Sequence, residues 1–252
     1  MSASTARVTS PVAAALDGQV VLVIGGSAGI GLETARGAVA LGGSVIITGR
    51  DRERLTNAAT DVGATSSAVL DLRTPDSVER FFDGLPLFDH VLVSGGGPLY
   101  TPIREFDREA ALRNLDEHII TPLRIARAAE GRIRPDGSMV LITGTGARRP
   151  AFGLSIASAA TLATAAVVGT IAIEFAPMRV NAVAPGFVDT PLSARLLGDD
   201  LTARRDELRD ALPIRRVIGA DDVAATILHL MTNTAMTGTV VDIDGGQALV
   251  SR

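Results

Sequence analysis

Residues Val20–Gly31 read VVLVIGGSAGIG. An unbroken run of valine, leucine and isoleucine enters a cluster of glycines, and a helix-compatible stretch follows. Continuous rather than alternating apolar character predicts a strand covered on both faces, the pattern of a parallel sheet. Gly25 permits a tight turn. Gly29 and Gly31 let a pyrophosphate approach the backbone and let the next helix pack on the sheet, while the helix N-terminus favours the anion. An ordinary strand-to-helix turn does not need three glycines at this spacing, and here the strand stands before them and the helix after.

The same rhythm continues outward. Further strands are expected at Ser44–Thr48, Ser67–Leu70, His90–Val93, Met139–Ile142, Arg179–Val183 and Val240–Ile243. Helices are expected at Gly31–Leu41, Arg52–Asp61, Pro75–Phe82, Arg108–Ala129, Leu154–Glu174 and Ala220–Met231. This alternation predicts an α/β fold: a Rossmann-like, doubly wound parallel sheet of about seven strands in three layers. A short mobile tail over residues 1–17 and one domain over 18–252 are expected. Leu192–Arg216 is charged and interrupts the rhythm; it is either a solvated helical insertion or a lid over a cleft.

Composition narrows the function. The chain of 252 residues has no cysteine, which removes disulfides and thiolate metal sites and points to a reducing cytoplasm. A net charge of −4 gives no electrostatic case for nucleic acid or an anionic membrane. The most apolar run, around Ala159–Ile173, reads as a buried helix, too short for a bilayer span. All 24 basic residues are arginine, so no mechanism that needs a lysine is available; Tyr100 is the one tyrosine.

The second strand ends SVIITGRDRE. Gly49 stands where a protein reading NAD usually carries a carboxylate for the ribose 2′-hydroxyl, and Arg50 follows it. A guanidinium welcomes a 2′-phosphate that a carboxylate would repel, and Ser27 is near enough in the motif to donate another hydrogen bond. NADP(H) is therefore expected over NAD(H).

With these residues in view the chain resembles a short-chain dehydrogenase/reductase over nearly its whole length. The spacing of Gly25, Gly29 and Gly31 is that family's glycine pattern, with Ile24 in place of its leading threonine. Asp71–Leu72 resembles the adenine-contacting pair. Ser94–Gly97, SGGG, matches the family's Asn-Asn-Ala-Gly turn in position but not in letters. Arg179–Thr190, RVNAVAPGFVDT, resembles its proline-glycine loop, and Thr237–Gly246, TGTVVDIDGG, its last strand. The resemblance implies cofactor contacts at Ile30, Gly95, Gly96, Pro185, Gly186, Val188 and Thr190 in addition to Gly25, Ser27, Gly29, Gly31, Arg50, Asp71 and Leu72.

It also implies a catalytic set that this chain lacks. The family donates a proton from a tyrosine, assisted by a lysine four residues later, a carbonyl-polarising serine and a water-ordering asparagine. Counting back from APMRVN puts the tyrosine position at Ser155 and the lysine position at Ala159, inside GLSIASAA. Serine is too weak an acid for that task and alanine has no functional group. The serine position falls near Thr143; a shift of one residue gives Gly144, with Thr145 the nearest hydroxyl. The asparagine position falls at His118, which either protonates an alkoxide or simply packs in its helix. Tyr100 is a substrate contact, a surface residue or a relocated acid. Arg148 and Arg149 are solvated, or bind an acidic substrate or a ribose, but do not donate protons.

Three functions follow: an NADP(H)-dependent oxidoreductase of a small carbonyl or alcohol with an altered acid–base site, a non-catalytic cofactor-binding sensor or scaffold, and a repurposed cyclase, dehydratase or isomerase. No metal, nucleic acid or membrane partner is expected. The small-residue helix Leu154–Glu174 suggests a homodimer or homotetramer.

Overall fold

The computed structural model describes residues 15–149 and 151–250. Most of the expected tail lies outside the described residues. Its last part does not behave as a tail: Leu16 is fully buried, and its amide donates to the Leu41 carbonyl at 3.0 Å.

The chain alternates as expected. The elements are β1 (Val20–Ile24), α1 (Gly29–Ala40), β2 (Ser44–Gly49), α2 (Arg52–Val62), β3 (Ser66–Val69), α3 (Ser77–Asp83), β4 (Phe88–Val93), α4 (Arg108–Leu115), α5 (Thr121–Ala129), β5 (Ile133–Ile142), α6 (Ser155–Glu174), β6 (Arg179–Pro185), β7 (Val188–Asp189), α7 (Pro191–Leu197), α8 (Leu201–Ala211), β8 (Ile218–Gly219), α9 (Ala220–Thr232) and β9 (Val240–Ile243). Seven strands form one parallel sheet in the order β3-β2-β1-β4-β5-β6-β9, and β7 pairs separately with β8. The order reverses between β1 and β4, and a doubly wound sheet opens a crevice at that point, beyond the carboxyl ends of its strands. One apolar core packs α3, α5 and α6 on one face; another packs α1, α2 and α9 on the other.

Two expectations change. Arg108–Ala129 is not one α-helix: a π-turn, Asp116–Ile120, separates α4 from α5. Pro122 explains it. Proline has no N–H for the His118 carbonyl, and the chain admits an extra residue, with the Thr121 amide donating to the Asp116 carbonyl. Secondly, α6 is not wholly buried. Its 20 residues and mean hydropathy of 1.9 would suffice to cross a bilayer. It lies instead along β6 with Ala160, Thr164, Val168 and Ile171 inward, while Leu162 and Ile173 are 62% and 80% exposed.

At the end of the sheet away from the glycine turn, buried His90 joins Gln19 and Ser138. Its Nε2–H donates to Gln19 Oε1 at 2.6 Å and its Nδ1 accepts from the Ser138 hydroxyl at 2.9 Å. Burial first, then the charge of Arg179, lowers its pKa from 6.5 to about 4, against the opposing pull of Asp89. Above pH 6.5 the imidazole is neutral in both folded and unfolded chains. As pH falls towards about 4, the unfolded chain binds a proton that the folded one excludes, and stability declines by roughly 3 kcal/mol over that window. Urea unfolding across it should show this slope, and His90→Gln should flatten it.

Candidate active site

The cofactor end is built where β1 turns into α1. A Cβ on Gly25 would lie 1.6 Å from the Ser94 carbonyl oxygen, and one on Gly31 would lie 2.2 Å from the Gly25 oxygen. Only glycine lets the turn, β4 and α1 close together. Ala28 begins α1 without a side-chain cap, so the first amides of the helix have no side-chain acceptor, which suits a pyrophosphate.

The ribose end carries its own charge logic. Buried Ser27 leans on Gly49, where a Cβ would stand 3.0 Å from Ser27 Oγ. Arg50 is exposed and makes no hydrogen bond or ion pair among the described residues. The neighbouring carboxylate does not neutralise it: Asp51 accepts from the Arg54 amide at 2.9 Å and caps α2. Asp71 is held by Arg73 through two side-chain bonds at 3.0 and 2.8 Å, which lowers its pKa to about 2. Leu72 faces Gly95, with Cδ1 3.8 Å from the position of a Cβ there.

Beyond the glycine turn a cleft of about 710 Å³ opens. Ile30, Gly95, Gly96, Pro185, Gly186, Val188 and Thr190 are on its walls, together with Tyr100, His118 and Thr143. Gly25, Ser27, Gly29, Gly31, Arg50, Asp71 and Leu72 are not; they form the turn and the ribose end outside it. Thr190 faces Gly29 and also caps α7 by reciprocal bonds with Ser193 at 2.8 and 3.3 Å.

Ser155 is misplaced by the sequence reading. It is exposed and off the cleft wall, as is Ala159; α6 presents Leu154, Ala157, Ala160 and Thr161 instead. The pair at four-residue spacing that faces the cleft is Ala157 and Thr161. The cause is the short connection from Glu174 to Arg179: a count that assumes a longer loop lands too early on the helix. The conclusion survives in stronger form, because neither Ala157 nor Thr161 is an acid or a cation. Opposite them, Gly144 points at Thr161, with 3.6 Å from its would-be Cβ to Thr161 Cγ2. Thr143 and Thr145 flank it on the wall.

His118 lies in the π-turn. Its Nδ1 is 2.8 Å from the Asn114 carbonyl, which can only accept, so Nδ1 carries the proton and Nε2 is the nitrogen left for chemistry. Gly96, at φ 78°, makes room: a Cβ there would sit 3.2 Å from His118 Cε1 and 3.0 Å from Glu117 Oε2. Asn114, not singled out from sequence, donates from Nδ2 to the Gly97 carbonyl at 2.7 Å and ties α4 to the SGGG turn. Its place one helical turn before His118 was the available signal.

Other candidates recede. Tyr100 keeps much of its ring exposed, and desolvation raises its pKa, with Arg204 pulling the other way. It is a poorer acid than a free phenol. Arg148 is bound to Asp242 by two bonds of 2.7 Å, and Arg149 donates to the Val250 carbonyl. The insertion forms a wall: Leu192, Leu196, Leu197, Arg204 and Leu208 line the cleft, and Arg205 holds Asp189 at 2.6 Å.

A doubly wound parallel sheet with this glycine turn and a cleft beside it is a dinucleotide-binding fold. Residues 25–248 match the family model described as enoyl-(acyl carrier protein) reductase. The short-chain dehydrogenase/reductase ATR9 of Stachybotrys chlorohalonatus is 30% identical, over 92% of this chain and 98% of that one. The chain belongs to the short-chain dehydrogenase/reductase family. Among solved structures, the MalC reductase/Diels-Alderase from Malbranchea aurantiaca superposes with a TM-score of 0.88 at 25% identity, covering 94% of this chain and 99% of that one. An NADPH-bound short chain oxidoreductase from Pseudomonas aeruginosa PAO1, described as containing an atypical catalytic center, gives 0.84 at 26% identity, over 92% and 97%.

Proposed function

We propose that the protein is an NADP(H)-dependent oxidoreductase that exchanges hydride with a small apolar carbonyl or alcohol and draws its proton from His118 or water. The unpaired guanidinium of Arg50 beside the uncapped start of α1 carries this reading. Arg50 and Ser27 would hold the 2′-phosphate, the α1 amides the pyrophosphate, and Val188 and Thr190 the nicotinamide end. The bound nucleotide supplies the hydride. The cleft walls orient the carbonyl and exclude water, and with Ala157 and Thr161 in place the proton falls to His118. Mass spectrometry of the protein as purified, followed by NADPH oxidation with a panel of carbonyls, tests it. A bound nucleotide with no oxidation would favour a sensor or scaffold.

The likeness to MalC supports a second reading, in which the cleft shapes a substrate for cyclisation without net redox. Product formed without NADPH consumption would establish it.

The outer stripe of α6 supports self-association. Ala159, Leu162, Ala166 and Ile173 recur at helical spacing, and Leu112 and Leu123 of the adjoining helices are 44% and 40% exposed. Small residues there let two copies of α6 approach closely. Light scattering at micromolar concentration should give a dimer or tetramer, and Leu162→Glu should yield a smaller species.

A further inference from the structure

We infer that Thr164, buried in α6, is the middle link of a proton wire from His118 to Thr143 through one water behind the cleft. The inference rests on the proposed reductase reading and names a positioning residue for it. Thr164 is 2% exposed and does not reach the cleft. Its hydroxyl accepts from Thr143 Oγ1 at 3.2 Å and donates to the Ala160 carbonyl at 2.9 Å. In this arrangement the Thr143 proton points away from the cleft, and Thr143 offers a substrate only lone pairs. Polarising a carbonyl needs the opposite sense, with Thr164 donating to Thr143 and Thr143 donating outward. Reversal gives up only the side-chain bond to Ala160, but then Thr164 needs a donor of its own.

That donor has a place. A second cavity of about 10 Å³ is walled by Thr164, His118, Glu117 and Pro122, with Gly95 and Ile142 shared with the cleft. This volume holds about one water, and the walls supply the polar partners a buried water needs. His118 walls both spaces. During reduction the product alkoxide takes the Thr143 proton and Thr143 takes that of Thr164. Thr164 takes one from the water, and the water takes one from the His118 imidazolium, which ends neutral. Each oxygen breaks one O–H bond and forms another, and the net transfer is one proton from His118 to product.

Three measurements test the wire. A high-resolution crystal structure of the wild type should show a water bonded to both Thr164 Oγ1 and His118. Thr164→Val, nearly isosteric, should lose that water and lower NADPH oxidation by about 10²-fold, the lower end of what acid–base assistance contributes. NADPH affinity by calorimetry should not move, and the solvent deuterium isotope effect on turnover should change. Thr164→Ser should restore the rate and isotope effect, and serves if the valine variant does not fold. A dry cavity overturns the wire whether or not the protein oxidises NADPH, as does a valine variant with wild-type rate and isotope effect. A wild type that reduces no carbonyl overturns the reductase reading instead, and the cavity water then decides the wire's geometry by itself.

Discussion

Arg50→Ala is expected to weaken NADPH binding by about 10–100-fold and to leave NADH binding nearly unchanged. A hydrogen bond to a charged group contributes about 1.5–3 kcal/mol, and every 1.4 kcal/mol is a factor of ten. Only the 2′-phosphate distinguishes the nucleotides, and Arg50 directly follows Gly49 with no ion-pair partner among the described residues, whereas Arg73 is bound to Asp71. Its charge already acts on its surroundings, since it helps to lower the Asp71 carboxylate. Arg50→Glu should go further and turn the preference towards NADH, because a carboxylate there repels a 2′-phosphate and can accept from a ribose hydroxyl. Titration calorimetry with both nucleotides decides it. Equal losses for the two would place the 2′-phosphate elsewhere, with Ser27 and the Gly49 wall as a passive floor.

The sheet was legible because burial on two faces writes itself into composition. The bounds of β1 agree residue for residue with its apolar run, and the glycine turn names its own geometry. Helix continuity was less legible. Pro122 was visible in the sequence, but periodicity carries an apolar stripe across a π-turn without a break. The extra residue that places His118 on the cleft wall leaves no mark in the pattern. The α6 register failed for a different reason. Alanine-rich sequence offers no bulky landmark, so only the following strand marks its phase, through a connection whose length the sequence does not show. Ser155 and Ala157 differ by just over a half-turn of helix, about 200°, enough to exchange solvent for cleft. Side-chain engagement was the least legible of all. That Arg148 is bound to Asp242 and that the Thr143 proton turns inward are tertiary facts set by partners far away in the chain.

His118→Ala is expected to lower carbonyl reduction by about 10²–10⁴-fold, the usual contribution of a positioned acid or base. The structure leaves few alternatives on the cleft wall: Ala157 and Thr161 are neither acid nor cation, Gly144 has no side chain, and Tyr100 is shifted away from ionisation. Reduction consumes a proton, so a donating His118 must carry it as imidazolium, and the wild-type rate should fall as pH rises. In His118→Ala that dependence should flatten. Thr143→Val removes the hydroxyl at similar volume and should also slow turnover while leaving NADPH affinity in place. Tyr100→Phe should change the rate little, because a half-exposed phenol made harder to ionise is neither a tuned acid nor a base. Rates for the three variants against one carbonyl, across a pH series, separate the cases. If Tyr100→Phe alone abolishes activity, the donor is the loop phenol and the π-turn histidine is a packing residue. If the wild type binds NADPH tightly and reduces nothing, the cleft face of α6 through Ala157 and Thr161 marks chemistry that was lost rather than moved.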